Sequence, residues 1–171
     1  FTDETGTSSC KSCPEGTWSD AVGLQLEFDC KKCSAGRYSS AKGVTRATDC
    51  NKCAAGKKNP NQGATLSDNC TDCAANTKSE VEGSFECVAC DKGSSSEAGS
   101  AKCQSCEAGT FSNVTGGTCR DCGAGQYRQS KEDNSEIPTN ATFCVGCPAG
   151  WSSEAGSSKC QSCEAGTFSN V

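Results

Sequence analysis

The chain has 171 residues, 18 of them cysteine and 19 glycine, with 16 basic against 21 acidic side chains and no histidine. Leu, Ile, Val and Phe together number 17, about 10% of the chain, far under the roughly 20% below which a chain lacks the apolar area for an ordinary core. A conventional hydrophobic core is excluded, and the net charge of −5, mild and read as spread along the chain, argues against nucleic acid or an acidic membrane surface as a partner.

In chain order, every cysteine belongs to a Cys-x-x-Cys pair: Cys10/Cys13, Cys30/Cys33, Cys50/Cys53, Cys70/Cys73, Cys87/Cys90, Cys103/Cys106, Cys119/Cys122, Cys144/Cys147 and Cys160/Cys163. Successive pairs advance by 20, 20, 20, 17, 16, 16, 25 and 16 residues, the fixed-period pattern of a repeat array rather than of one globule. Repeats run roughly 10–29, 30–49, 50–69, 70–86, 87–102, 103–118, 119–143, 144–159 and 160–171, the last incomplete, and both ends read as cuts in a longer chain. Ordering the backbone costs about 1–2 kcal/mol per residue, more than so few apolar side chains offset. Closing a loop of about 15 residues with a disulfide removes roughly 3 kcal/mol of unfolded-state freedom. The expected fold is therefore an elongated, open-ended array of small disulfide-rich repeats: nine short hairpin and turn units with little regular secondary structure.

An even cysteine count above about 10%, in a background of Gly, Ser, Thr and Ala, places the chain in an oxidising compartment, secreted or at the cell surface. No apolar run of about 18 residues occurs and no charged-then-apolar leader opens the chain, so any signal peptide or anchor is expected outside these residues.

Three residues after the second cysteine of each pair stand Gly16, Gly36, Gly56, Asn76, Gly93, Gly109, Gly125, Gly150 and Gly166. Glycine reaches positive φ without steric cost and asparagine tolerates it best among the others, which predicts a left-handed turn just after each cysteine. Two places further come Trp18, Tyr38, Phe111, Tyr127 and Phe168, with Trp151 one place early; each ring is expected to lie on a disulfide or on the next repeat's backbone. Lys58, Lys78 and Ser95 hold that position elsewhere, and their repeats are expected to be softer. The intervals predict short β stretches such as Gly16–Ser19, no helix beyond two turns, and single turns only at Thr45–Asp49, Glu80–Phe85 and near Glu132.

Pairing within one Cys-x-x-Cys closes a strained ring and ties nothing distant together. A staggered scheme closes one loop per bridge and accepts any number of repeats: Cys13–Cys30, Cys33–Cys50, Cys53–Cys70, Cys73–Cys87, Cys90–Cys103, Cys106–Cys119, Cys122–Cys144 and Cys147–Cys160, with Cys10 and Cys163 seeking partners outside the segment. The rival scheme interlaces neighbouring pairs, as in Cys10–Cys30 with Cys13–Cys33, and strands one pair of the nine. Spacing favours staggering, and peptide mapping distinguishes the two.

The run Cys13-Pro14-Glu15-Gly16-Thr17-Trp18-Ser19, with variants after Cys33, Cys106, Cys122 and Cys163, resembles the ephrin-receptor-like cysteine-rich repeat. It is also similar to the small first module of tumour-necrosis-factor-receptor-type domains. The resemblance covers essentially the whole chain and implies extracellular, disulfide-linked, elongated arrays. Pro follows the cysteine only at Pro14 and Pro148, and Asn76 departs from the glycine rule. Such repeats occur in receptors, adhesive proteins and matrix proteins, so the resemblance does not choose a function.

Residues 95–114 recur at 152–171 with one change, Ala101 to Ser158, which suits a part copied to make length. The expected role is an extracellular structural component of a rod, stalk or filament that self-associates head-to-tail or laterally; the alternative is a ligand-binding or adhesive receptor ectodomain. Zinc fits nine consecutive pairs poorly, and calcium finds no epidermal-growth-factor-type ligand pattern, so no metal or cofactor is expected. Without histidine, an acid pair or a nucleophile motif, no enzymatic role is read. N-glycans are expected at Asn113 and Asn140, and less favourably at Asn69, whose sequon contains Cys70. The widest interval carries the polar run Ser130–Glu136, the stretch singled out for a specific lateral contact.

Overall fold

A computed structural model describes residues 9–129 and 141–169. These residues form two compact units. The first comprises the chain up to Ala74 with Lys78–Val88 and Ala98–Lys102; the second comprises Ala75–Thr77, Ala89–Glu97 and the chain from Cys103 on.

Strands are two residues long and begin one residue after each left-handed turn or just after the first cysteine of a pair. In the first unit β1 (Thr17–Trp18) pairs antiparallel with β2 (Lys31–Lys32), β3 (Arg37–Tyr38) with β4 (Asn51–Lys52), and β5 (Lys57–Lys58) with β6 (Thr71–Asp72). Strands β7 (Thr77–Lys78) and β8 (Val88–Ala89) also pair. In the second unit β9 (Ser94–Ser95) pairs with β10 (Gln104–Ser105), and β11 (Thr110–Phe111) with β12 (Arg120–Asp121). There too β13 (Gln126–Tyr127) pairs with β14 (Val145–Gly146), and β15 (Trp151–Ser152) with β16 (Gln161–Ser162). Strand length follows from the covalent pattern: the two residues between the cysteines of a pair must be extended to carry one sulfur to each neighbour, and nothing beyond them continues the ladder.

The second cysteine of each pair bonds the first of the next, giving eight disulfides from Cys13–Cys30 to Cys147–Cys160 with Cα separations of 5.5–6.0 Å. Cys10 and Cys163 are unbonded. Sulfur occupies the interior: Cys33, Cys50, Cys53, Cys73, Cys90 and Cys122 are at most 1% exposed, and only Ala64 and Ala141 join the cysteines as buried apolar residues among those described. Large apolar side chains lie outside, with Val22 97% and Phe28 80% exposed.

Single 3-10 turns at Glu27–Asp29, Ala47–Asp49 and Ser67–Asn69 lead into Cys30, Cys50 and Cys70. Each closes a loop whose bonded cysteines stand 17 positions apart. Two of them hold their own first amide, Leu26 N–H donating to Asp29 Oδ2 at 3.1 Å and Leu66 N–H to Asn69 Oδ1 at 3.0 Å, in the manner of a capping box. The helical turn expected at Glu80–Phe85 does not form: the stretch holds a turn at Glu82–Gly83 flanked by bends. The bonded cysteines there are only 14 apart, and the three residues lost are those that make the turn elsewhere. The stretch near Glu132 lies outside the described residues.

The aromatic expectation needs correction at the far end. Trp18, Tyr38, Phe111 and Tyr127 are half-buried, but Trp151 is 44% and Phe168 79% exposed. Trp18 and Tyr38 form parallel bridges to Val44 and Ala64 of the next repeat, and Lys31 Nζ sits 4.7 Å from the Trp18 ring centre, within cation–π range. Lys58, Lys78 and Ser95 form the same strands as the aromatics they replace, so the turn sets the strand, not the ring.

Candidate functional site

What recurs with the most chemistry is the joint between consecutive repeats. At the joint between the Cys33 and Cys53 loops, Gly36 N–H donates to Asn59 O (2.8 Å), Cys53 N–H to Gly36 O (2.9 Å), Gly63 N–H to Cys33 O (2.8 Å) and Ser39 N–H to Ala64 O (3.0 Å). The second unit has bonds of the same kind: Gly109 N–H to Arg128 O (2.7 Å), Cys122 N–H to Gly109 O (2.8 Å) and Ser112 N–H to Ala141 O (2.8 Å) at one joint, and Gly156 N–H to Cys122 O (2.9 Å) at the next. Backbone groups buried by such short repeats must be paired, and here each is paired by the neighbouring copy.

The glycine after each cysteine is held by conformation and by space together. Gly36 has φ +80°, and a Cβ there would stand 1.9 Å from the carbonyl oxygen of Gly83, two repeats on. The same approach recurs at Gly16 against Gly63 (2.3 Å), Gly56 against Gly99 (2.0 Å) and Gly109 against Gly156 (2.0 Å). At these four positions a repeat thus touches its next-but-one neighbour as well as its neighbour. Gly93, Gly125, Gly150 and Gly166 also have positive φ, and so does Asn76 at 63°. The Asn76 carboxamide donates to Thr118 Oγ1 at 2.9 Å, which anchors the non-glycine member.

Gly63, Gly83, Gly99 and Gly156, the partners in these contacts, belong with Gly23, Gly43 and Gly116 to a second left-handed set that sequence reasoning missed, all between φ 70° and 79°. They stand nine or ten residues after the second cysteine of a pair, a period visible in the sequence. Also missed was the sixth residue after that cysteine, buried and polar as Ser19, Ser39, Asn59, Ser79, Ser112 and Arg128. Its side chain fastens the turn two residues on: Ala41 N–H donates to Ser39 Oγ (3.2 Å), Asn61 N–H to Asn59 Oδ1 (3.0 Å), and Ser79 Oγ donates to Val81 O (3.1 Å).

Two members of that set depart. Asn59 is fully buried and its Nδ2 has no hydrogen-bond partner. Arg128, 3% exposed, sends its guanidinium back one repeat to donate to the carbonyls of Cys106, Glu107 and Thr110. Burial lowers its pKa from the ordinary arginine value, which still leaves it charged at neutral pH.

Of the three sequons, Asn113 is exposed. Asn69 is exposed too, but its Oδ1 serves the 3-10 turn. Asn140, like the polar run Ser130–Glu136, lies outside the described residues. Among the described residues no three His, Cys, Asp or Glu side chains converge as a metal site would need, and no helix is long and apolar enough to cross a membrane. A recess of about 370 Å³ is lined by Ser152, Ser153, Glu154, Ser157, Lys159 and Gln161, a polar set unlike the apolar walls of most small-molecule sites. Neither a scan against protein-family models nor a search of curated proteins finds a match.

Proposed function

We propose that this chain is an extracellular structural repeat protein, a disulfide-stapled component of a rod, stalk or filament. The observation that carries the reading is the joint: its backbone hydrogen bonds run between consecutive repeats, so a further repeat adds one more joint of the same kind. Eight disulfides in one chain fit an oxidising compartment, where covalent closure takes over from a hydrophobic core. The nearly identical blocks 95–114 and 152–171 support length rather than one individual recognition surface. N-glycans on Asn113 and Asn140 belong to the same extracellular reading.

Electron microscopy of the native material tests the proposal. Threads or stalks whose length scales with repeat number support it; isolated compact monomers defeat it, and saturable binding of one soluble ligand by such monomers would favour a receptor ectodomain instead.

A further inference from the structure

The net charge of −5 conceals an asymmetry that corrects the reading of an evenly spread charge. Residues 31–58 hold eight cations, Lys31, Lys32, Arg37, Lys42, Arg46, Lys52, Lys57 and Lys58, against the single anion Asp49. The fold places them together in the first compact unit, on the hairpin β3–β4 and on the strands either side of it.

Among the described residues, carboxylates answer this block only at its two ends, where Lys31 pairs with Asp20 at 3.4 Å and Lys57 with Asp72 at 2.6 Å. Between them Arg37 stands directly across the ladder from Lys52, a like-charge cross-strand pair that is destabilising when nothing neutralises it. Arg37 turns one guanidinium nitrogen to the Cys50 carbonyl at 2.8 Å, which satisfies a donor and leaves the charge unanswered. Lys32 takes the same place in its hairpin as Lys52 does in the next. Their stems pass Gly63 and Gly83, within 3.3–3.7 Å of where a Cβ would stand, so the absence of a side chain on those glycines gives the lysines their course. Lys32, Lys42, Arg46 and Lys52 are exposed.

We infer that this strip binds a linear polyanion of the sulfated or carboxylated polysaccharide class. Cations that recur at the repeat interval match a polymer that carries its anions at regular intervals. The chain's own carboxylates offer a second copy no such row, because those beyond Asp68 are irregularly spaced: Asp72 and Asp121 lie between the cysteines of a pair, Glu164 follows Cys163, and the rest stand in loops whose bonded cysteines are 14, 13, 13, 22 and 13 residues apart. The inference does not rest on the rod: a receptor-like ectodomain with this strip would bind the same polymer.

The test measures retention of the disulfide-intact chain on immobilised heparin, with neutral dextran as the control matrix. A chain of net −5 should be retained at low salt and released by it, and the variant Lys32→Gln/Arg37→Gln/Lys52→Gln should bind at least tenfold more weakly. Because Arg37 also bonds the Cys50 carbonyl, Lys32→Gln/Lys42→Gln/Lys52→Gln is measured beside it, and counterion release predicts that its log–log salt slope falls by about 2. No retention of the parent chain, or retention of both variants equal to that of the parent chain, overturns the inference. So does displacement by free inorganic sulfate at matched charge, which marks a simple anion site. A salt-sensitive oligomer that the same variants dissolve, without polysaccharide binding, would assign the strip to a second copy and overturn it as well.

Discussion

Replacing Gly36 by alanine probes the joint most severely. The residue has φ +80°, where an L side chain costs about 1–2 kcal/mol. The new Cβ would stand 1.9 Å from Gly83 O and 2.5 Å from Gly83 C, so one backbone must move. Gly83 is held by its N–H bond to Cys53 O at 2.7 Å, and Gly36 by its bonds to Asn59 and Cys53 at 2.8 and 2.9 Å. Giving up one such bond costs about 1 kcal/mol, and overpacking a fixed site about 1–3 kcal/mol. Gly36→Ala is therefore expected to destabilise by about 3–6 kcal/mol. Gly125→Ala, at φ +75° with nothing within 4 Å of its Cβ, meets only the conformational cost of about 1–2 kcal/mol. Denaturant unfolding of the disulfide-intact protein, read by circular dichroism and by hydrogen exchange at the Cys53 and Gly83 amides, measures both. Equal effects of the two substitutions would refute the next-but-one contact as the reason for glycine.

Ser39→Ala should lose about 1 kcal/mol, the worth of the bond that fastens Ala41, with faster exchange of the Ala41 amide as the sign. Asn59→Ser should be neutral or stabilising by up to about 1 kcal/mol, since it restores the commoner residue and removes a buried donor without a partner; a clear destabilisation by unfolding assay would show that Nδ2 does have a role. Arg128→Ala should cost about 3 kcal/mol by leaving three carbonyls unanswered, and Arg128→Lys, lacking the planar fork, should recover less than half. The carboxyl of Glu80 is held below its ordinary range by the hydrogen bond from Lys78 and by that ammonium's charge. A depressed folded value means that the pair's contribution is present above the unfolded glutamate pKa and lost as pH falls through the folded one. Carboxyl NMR titration of Lys78→Ala should return Glu80 to the ordinary value, and an unchanged midpoint would contradict the pairing.

Cysteine spacing made the hairpin array and its coreless interior legible, because a disulfide constrains neighbours whatever lies between. Subtler periods were present but not read. The second glycine and the buried Ser19, Ser39 and Ser79 recur at fixed offsets, yet serine and glycine are so common in this chain that neither stands out until the fold puts Gly83 against Gly36. The 3-10 turns depended on loop length, a three-residue difference between Cys53–Cys70 and Cys73–Cys87 that local propensity does not report. Arg128 defied the pattern, since an arginine at a serine position reads as an exposed charge until its carbonyl partners are seen. The cationic strip was hidden by summing: a total of −5 averages the 31–58 block against acidic flanks.

The central claim, that sulfur cross-links between successive repeats replace a hydrocarbon core, is tested most directly by alkylating the native chain without reductant and mapping its peptides under non-reducing, acidic conditions. The account predicts linked peptides for Cys13–Cys30 through Cys147–Cys160, with any alkylation confined to Cys10 and Cys163. A Cys10–Cys30 linked fragment, or alkylation spread over most of the 18 cysteines, would contradict it.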